Sequence, residues 1–293
     1  MGKLLTRGWL HAVFCASVVG AISFAETAFS APVFSGAEKV DFDSVPYTYP
    51  PSPFKVKQAK KLGIPVKTNT EPSIPLTGYL VKPVGEGPFP AVILLHSCAG
   101  ITELYALWSD RLVAWGYVVL IVDSFTPRGE KYICGREELV SPWIRTLDAY
   151  GAKRYLSSHP FVDSSRIAAM GMSLGGNVVL QVIRISTSKN LAVDSFRAAV
   201  ALYPNCQKPE SINVPTLILI GSADQMHSAD ACVRFLEKIP PPHEITLKVF
   251  PGAHHVFDQP GMDMVEVGKI NRYHPEAAEL AIEMIREHFD ERL

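Results

Sequence analysis

The stretch Arg166-Ile167-Ala168-Ala169-Met170-Gly171-Met172-Ser173-Leu174-Gly175-Gly176 decides how the rest of the chain is read. Its first half is a short apolar run, the pattern of a buried strand. Its middle, Gly171-Met172-Ser173-Leu174-Gly175, fits G-x-S-x-G, and Asn177-Val178-Val179-Leu180-Gln181-Val182-Ile183 continues as a helix. A serine on a sharp turn between a strand and a helix is a nucleophile elbow. In such a turn the chain passes close to itself, so the positions two residues before and after the serine must be small; Gly171 and Gly175 meet that need. The helix that follows points free N–H groups at the site and favours negative charge there. The bare motif arises by chance in about one chain in ten of this length. The flanking strand and helix are what carry the reading.

Working outward, 293 residues at 47% hydrophobic and 19% charged suit one globular domain with a large core. Basic and acidic residues number 28 and 29, so no nucleic-acid partner is expected. Lys3 and Arg7 precede an apolar run from Trp9 to Ala25, with small residues at Ser23, Ala25, Ala28 and Ser30. Residues 1–30 therefore read as a signal peptide, cleaved after Ala25 or Ser30. The alternative is an uncleaved anchor, because the run nearly reaches spanning length. Cys15 follows Phe14, a poor fit to a lipoprotein site. The mature chain is expected to be exported, to have no membrane partner, and to keep four cysteines: Cys98, Cys134, Cys206 and Cys232.

Residues 31–75 read as a proline-rich N-terminal extension, with an edge strand at about Val40–Val45 and with Pro50-Pro51-Ser52-Pro53 excluded from any sheet. Residues 76–293 read as the domain. Ala91–His96, Tyr117–Asp123, Ala198–Tyr203 and Thr216–Gly221 are near-continuous apolar runs, and Ile245–Phe250 is a further strand. Helical patterns at Glu103–Trp115, Ser141–Ser157, Ala229–Lys238 and Pro275–Phe289 alternate with them. The fold class is α/β, a mostly parallel central sheet with helices on both faces.

Ligands of such sheets bind at the carboxyl ends of strands. Ser173 follows one end. Asp224 follows another, in Gly221-Ser222-Ala223-Asp224. His255 follows a third, in Pro251-Gly252-Ala253-His254-His255-Val256-Phe257. The order Ser, Asp, His is that of α/β-hydrolases. His255 would take the serine proton, and Asp224 would hold the imidazole tautomer. A fourth end carries His96-Ser97-Cys98-Ala99-Gly100, where this fold places a second oxyanion donor. The backbone N–H groups of Leu174 and Cys98 are the expected oxyanion hole.

At these residues the chain resembles the dienelactone hydrolase family, over about Leu76 to the C-terminus. The resemblance rests on Gly171–Gly176, on Gly221–Asp224 and on Gly252–Phe257. The family has histidine two residues after the alanine, then usually glycine, then phenylalanine. That selects His255 over His254, with Val256 in the place of glycine. Dienelactone hydrolases proper carry a cysteine nucleophile where this chain has Ser173, a glutamate where it has Ser97, and an arginine where it has Gln259. The resemblance therefore implies an exported serine-type member that cleaves small-molecule esters or lactones, with dienelactone itself not the expected substrate. A peptidase on the same fold would need a larger cap than any insertion here can build. A non-catalytic binding protein need not keep Ser173, Asp224, His255 and the glycines. No metal spacing or dinucleotide fingerprint is present, so no cofactor is expected.

Adjacent strands would bring Cys206 and Cys232 within bridging reach, and serine-type relatives share the pair, which implies a Cys206–Cys232 disulfide. Cys98 and Cys134 are the remaining pair, in loops at the site end of neighbouring strands; the alternative is four free thiols. His227 is expected to be solvated, and the loop cations Arg128, Lys131 and Arg136 to be solvated or, as the alternative, to meet an anionic substrate. Asp123 is expected to cap a turn, His96 to be a buried hydrogen-bonded histidine, and Asp230 to be a helix N-terminal acid.

Overall fold

The computed structural model describes residues 36–66, 68–266 and 268–293. The segment read as a signal peptide, residues 1–30, lies outside them. Among the described residues, twelve strands and seven α-helices follow in order. The first third holds β1 (Glu38–Asp43), β2 (Tyr47–Thr48), α1 (Pro53–Leu62), β3 (Thr70–Glu71), β4 (Pro75–Val81) and β5 (Phe89–Leu95). The middle holds α2 (Glu103–Ala114), β6 (Val118–Asp123), α3 (Pro142–Ser157), β7 (Val162–Met172), α4 (Leu174–Val182), α5 (Ile185–Leu191) and β8 (Ala199–Leu202). The last part holds β9 (Thr216–Gly221), α6 (Ala229–Lys238), β10 (Ile245–Phe250), β11 (Asp263–Glu266), β12 (Lys269–Arg272) and α7 (Pro275–Asp290).

Eight strands make one sheet in the order β1-β4-β6-β5-β7-β8-β9-β10. The pairings of β4 with β1 and β6 are antiparallel, and the five pairings from β6 onward are parallel. The inner strands are buried on both faces, as near-continuous apolar runs require. The chain leaves β5 in one direction through α2 and returns past it through α3 to β7. Right-handed crossovers in opposite directions put α2 and α3 on opposite faces. α4 packs beside α3. α7 lies with α2, where Arg286 sits 5.9 Å over the Trp115 ring and Tyr117 donates to Asp290 at 2.9 Å.

The sheet starts well before residue 76. β1 runs antiparallel to β4 from Glu38↔Leu80 to Asp43↔Pro75, with Val40 and Phe42 turned into the core. The expected edge strand is therefore part of the main sheet, shifted toward the N-terminus. Gly78 explains how β4 fits between its neighbours: a Cβ there would meet the Ile121 carbonyl and the Phe42 ring. Several features had no expectation, among them the β2–β3 pair, α1, the short α5, and the β11–β12 hairpin between the His255 loop and α7.

Candidate active site

Ser173 stands on the turn between β7 and α4 with φ 53° and ψ −116°. A non-glycine residue held there costs about 1–3 kcal/mol. The surroundings impose it. A side chain at Gly171 would fall on the Gly175 backbone, and one at Gly175 on the Leu95 carbonyl. The Ser173 N–H donates to the Leu202 carbonyl of β8 at 3.0 Å. The same β8 end is tied to α4, because Asn177 Oδ1 accepts from the Asn205 N–H at 2.6 Å.

The ends of β9 and β10 are stitched together. Ser222 N donates to the Phe250 carbonyl at 2.9 Å, and Ala223 N to the Ala253 carbonyl at 3.0 Å. Gly221 allows this approach, since a Cβ there would occupy the Ala253 carbonyl. The result brings three side chains from three strand ends into one line. His255 Nδ1 lies 2.7 Å from Asp224 Oδ2, and His255 Nε2 lies 2.9 Å from Ser173 Oγ. With Nδ1–H donating to the carboxylate, Nε2 is free to accept the serine hydroxyl proton. The other carboxylate oxygen, Oδ1, accepts the Met226 and His227 N–H groups, both at 2.8 Å, so Asp224 is fixed from both sides. All three groups are buried. His254 makes neither contact.

The Cys98 loop is held on four sides. Cys98 is bridged to Cys134, and its carbonyl accepts from Ile133 N at 2.9 Å. Ser97 N donates to the Tyr105 hydroxyl at 2.6 Å. Arg145, fully buried, donates from Nη2 to the His96 carbonyl at 2.5 Å. His96 itself donates from Nδ1 to the Ser97 carbonyl and accepts the Ser124 N–H at Nε2. Burial, then the Arg145 charge, holds its pKa well below the histidine range, so it is a neutral scaffold. Among the described residues, neither the Leu174 nor the Cys98 amide donates a hydrogen bond. The second bridge, Cys206–Cys232, joins the segment after β8 to α6, which follows the Asp224 loop.

Two expectations need correction. His227 is not solvated. Its Nδ1 donates to the Tyr203 carbonyl at 2.7 Å and its ring meets the His255 ring edge-on. Burial, then the neighbouring His255, lowers its pKa. Arg128 is not solvated either: it makes a two-pronged pair with the buried Asp148 at 2.8 and 2.9 Å and donates to the Ser124 carbonyl. Lys131 and Arg136 are exposed as expected. Asp123 Oδ1 caps the next turn through Phe125 N and Thr126 N, and Asp230 lies in the first turn of α6.

The sequence also gave no hint of the support behind His255. The Tyr203 ring lies 4.6 Å from the His255 ring, and its hydroxyl donates to Asp258 at 2.9 Å. Trp108 Nε1 donates to the other Asp258 oxygen at 2.7 Å. Burial raises the Asp258 pKa, against the pull of these two donors. Val256 has φ +56°, the left-handed region that favours glycine. That is the physical reason for glycine at this place in the resembled pattern. No group of side chains that could hold a metal ion is found among the described residues.

The model of the dienelactone hydrolase family matches residues 76–293. The chain is 30% identical over 163 residues to esterase FrsA of Enterobacter sp. (strain 638); the match takes in 53% of this chain and spans only 36% of that protein. It is 25% identical over 218 residues to a Bradyrhizobium sp. protein named probable 2-oxo-3-(5-oxofuran-2-ylidene)propanoate lactonase, covering 67% of this chain and 83% of that one. The dienelactone hydrolase structure from Anabaena variabilis ATCC 29413 superposes with a TM-score of 0.57 over 75% of this chain and 93% of that one; at 20% identity the likeness concerns the fold.

Proposed function

The chain belongs to the dienelactone hydrolase family, and from that premise we propose that it is an exported serine hydrolase cleaving small carboxylic esters or lactones through an acyl-enzyme. The observation that carries this is the aligned set Ser173 Oγ, His255 Nε2 and Nδ1, Asp224 Oδ2, at 2.9 and 2.7 Å. Esterase and lactonase are also the names borne by its relatives.

Ser173 Oγ attacks the carbonyl carbon as its proton passes to His255 Nε2. Asp224 holds the imidazole and stabilises the imidazolium. Charge develops on the carbonyl oxygen, and the Leu174 and Cys98 N–H groups receive it. Losing one such donor costs about a hundredfold to a thousandfold in kcat. The tetrahedral intermediate collapses, His255 hands its proton to the leaving alkoxide, and the acyl group stays on Ser173. With a lactone the alcohol remains tethered to that acyl group. Water, deprotonated by His255, then releases the acid. Export is supported by the two bridges, Cys98–Cys134 and Cys206–Cys232, which persist in oxidising compartments.

The test is turnover of a panel of p-nitrophenyl esters and lactones by the wild type and by Ser173→Ala. Activity on at least one member, lost by about a thousandfold or more in the folded variant, is expected. A variant that kept about a tenth of wild-type turnover would remove Ser173 from the mechanism.

A further inference from the structure

The segment between β2 and β3 stands apart from the rest of the surface. Its ends are tied: Tyr47 pairs with Glu71 and Thr48 with Thr70, and Tyr49 N donates to the Asn69 carbonyl at 2.8 Å. Trp143 packs on Tyr47 at this base, with ring centroids 4.9 Å apart. Between these ends the chain forms α1, a helix specified by its own sequence. Ser52 caps its start by accepting from Lys55 N at 3.3 Å, Pro53 opens it, and Gly63 closes it at φ 64°.

What α1 presents is unusual for a solvated helix. Of its ten residues only Ala59 is buried. Phe54 is 73% exposed, Val56 43%, Leu62 58%, and Ile64 just beyond the helix 55%. Lys55, Lys57, Lys60 and Lys61 lie among them, and none forms an ion pair among the described residues. From Ser44 to Thr70 the sequence has five lysines and no acidic residue, in a chain whose net charge is −1. At 100° per residue, buried Ala59 marks the side turned to the protein, with Lys55, Leu62 and Val56 flanking it, while Lys60, Lys57, Lys61 and Phe54 sweep the side turned to solvent.

We propose that α1 docks this protein peripherally on an anionic phospholipid surface. The apolar side chains would enter the headgroup boundary while the lysines meet lipid phosphates. A bilayer supplies both an apolar layer and dense negative charge, and so complements the exposed apolar side chains and the lysines interspersed with them. The helix is already formed and held out on a closed base, so docking requires little ordering of the chain. At ten residues it is far too short to cross a bilayer. The sequence reading had given the mature chain no membrane partner; the proposed docking would add a peripheral one.

The test is co-sedimentation of the full chain with vesicles of phosphatidylglycerol and phosphatidylcholine in equal parts, against vesicles of phosphatidylcholine alone. Binding is expected only with the anionic lipid, with release at about 0.5 M salt. A Phe54→Ser, Val56→Ser, Leu62→Ser variant and a Lys55→Gln, Lys57→Gln, Lys60→Gln, Lys61→Gln variant should each bind at least about tenfold more weakly. All these side chains are exposed, so thermal unfolding should be unchanged. Wild-type-like binding by both variants would overturn the proposal and give the membrane contact to the N-terminal apolar run. Equal binding to both vesicle types, or no binding, would overturn it too. So would a dimer that the variants dissociate without any vesicle binding, since a second copy would then cover α1.

Discussion

The imidazole of His227 meets that of His255 edge-on, ring centroids 5.1 Å apart and planes at 90°, while its Nδ1 is held by the Tyr203 carbonyl. In the proposed mechanism His227 is thus a wall of the site that must stay neutral when His255 takes a proton. Its lowered pKa, caused first by burial and then by His255, serves that need. His227→Phe keeps the ring contact and should lower kcat by about tenfold or less. His227→Lys sets a fixed charge beside His255. It should cost considerably more and move the acid limb of the pH–rate profile to lower pH. Identical profiles for the two variants would contradict this role.

The two disulfides should fail differently. By loop closure over sequence separations of 36 and 26 residues, each bridge contributes about 3–4 kcal/mol to stability. Cys98–Cys134 also positions the proposed oxyanion amide. Cys98→Ala with Cys134→Ala should therefore lower kcat with little change in KM, measured well below its reduced unfolding temperature. Cys206→Ala with Cys232→Ala should cost similar stability with a smaller effect on kcat.

Val256 sits at φ +56° next to His255. Glycine accepts this conformation without the penalty of about 1–2 kcal/mol that a side chain carries. Val256→Gly should therefore be more stable than Val256→Ala by about 1 kcal/mol in chemical denaturation. Equal stabilities would mean that the left-handed conformation is not maintained.

Stability should fall in mild acid through His288 of α7. Burial, then Arg292, lowers its pKa from 6.5 to about 4. Above pH 6.5 neither folded nor unfolded chain carries this proton, and no penalty exists. As pH falls toward 4 the unfolded chain takes it up and the folded chain does not, so stability is lost across that window. His288→Leu should flatten the slope of unfolding free energy against pH there; an unchanged slope would place the titration elsewhere.

Much of this was legible in the sequence for a simple reason. A strand buried on both faces must be apolar throughout, so β9 shows as Thr216–Gly221 in sequence and structure alike, while the half-buried edge strand β10 shows by its alternation over Ile245–Phe250. The approach of the β9 and β10 ends demands Gly221, and the turn at Ser173 demands Gly171 and Gly175, so close backbone contacts are written as glycines. The family pattern Ala253-x-His255-x-Phe257 favoured His255 over His254 through the resemblance, and both flanking residues of that pattern are fully buried. What the sequence hid depends on distant partners. His227 is held by a carbonyl 24 residues away, on Tyr203 at φ +40°, and nothing local marks that. Arg128 looks like a surface cation until Asp148, one helix later, is found buried beneath it. α1 was passed over because its prolines and lysines read as loop, while its capping residues Ser52 and Gly63 are what define it.

Acylation of Ser173 with help from His255 is the step on which the proposed function turns. Intact-protein and peptide mass spectrometry after brief exposure to a fluorophosphonate and, separately, to p-nitrophenyl acetate measures this most directly. One adduct per chain on the peptide bearing Ser173 is predicted, absent in Ser173→Ala, strongly slowed in His255→Ala and little slowed in His254→Ala. A folded protein that takes no adduct, takes it on another residue, or labels as fast without His255 as with it would contradict the account.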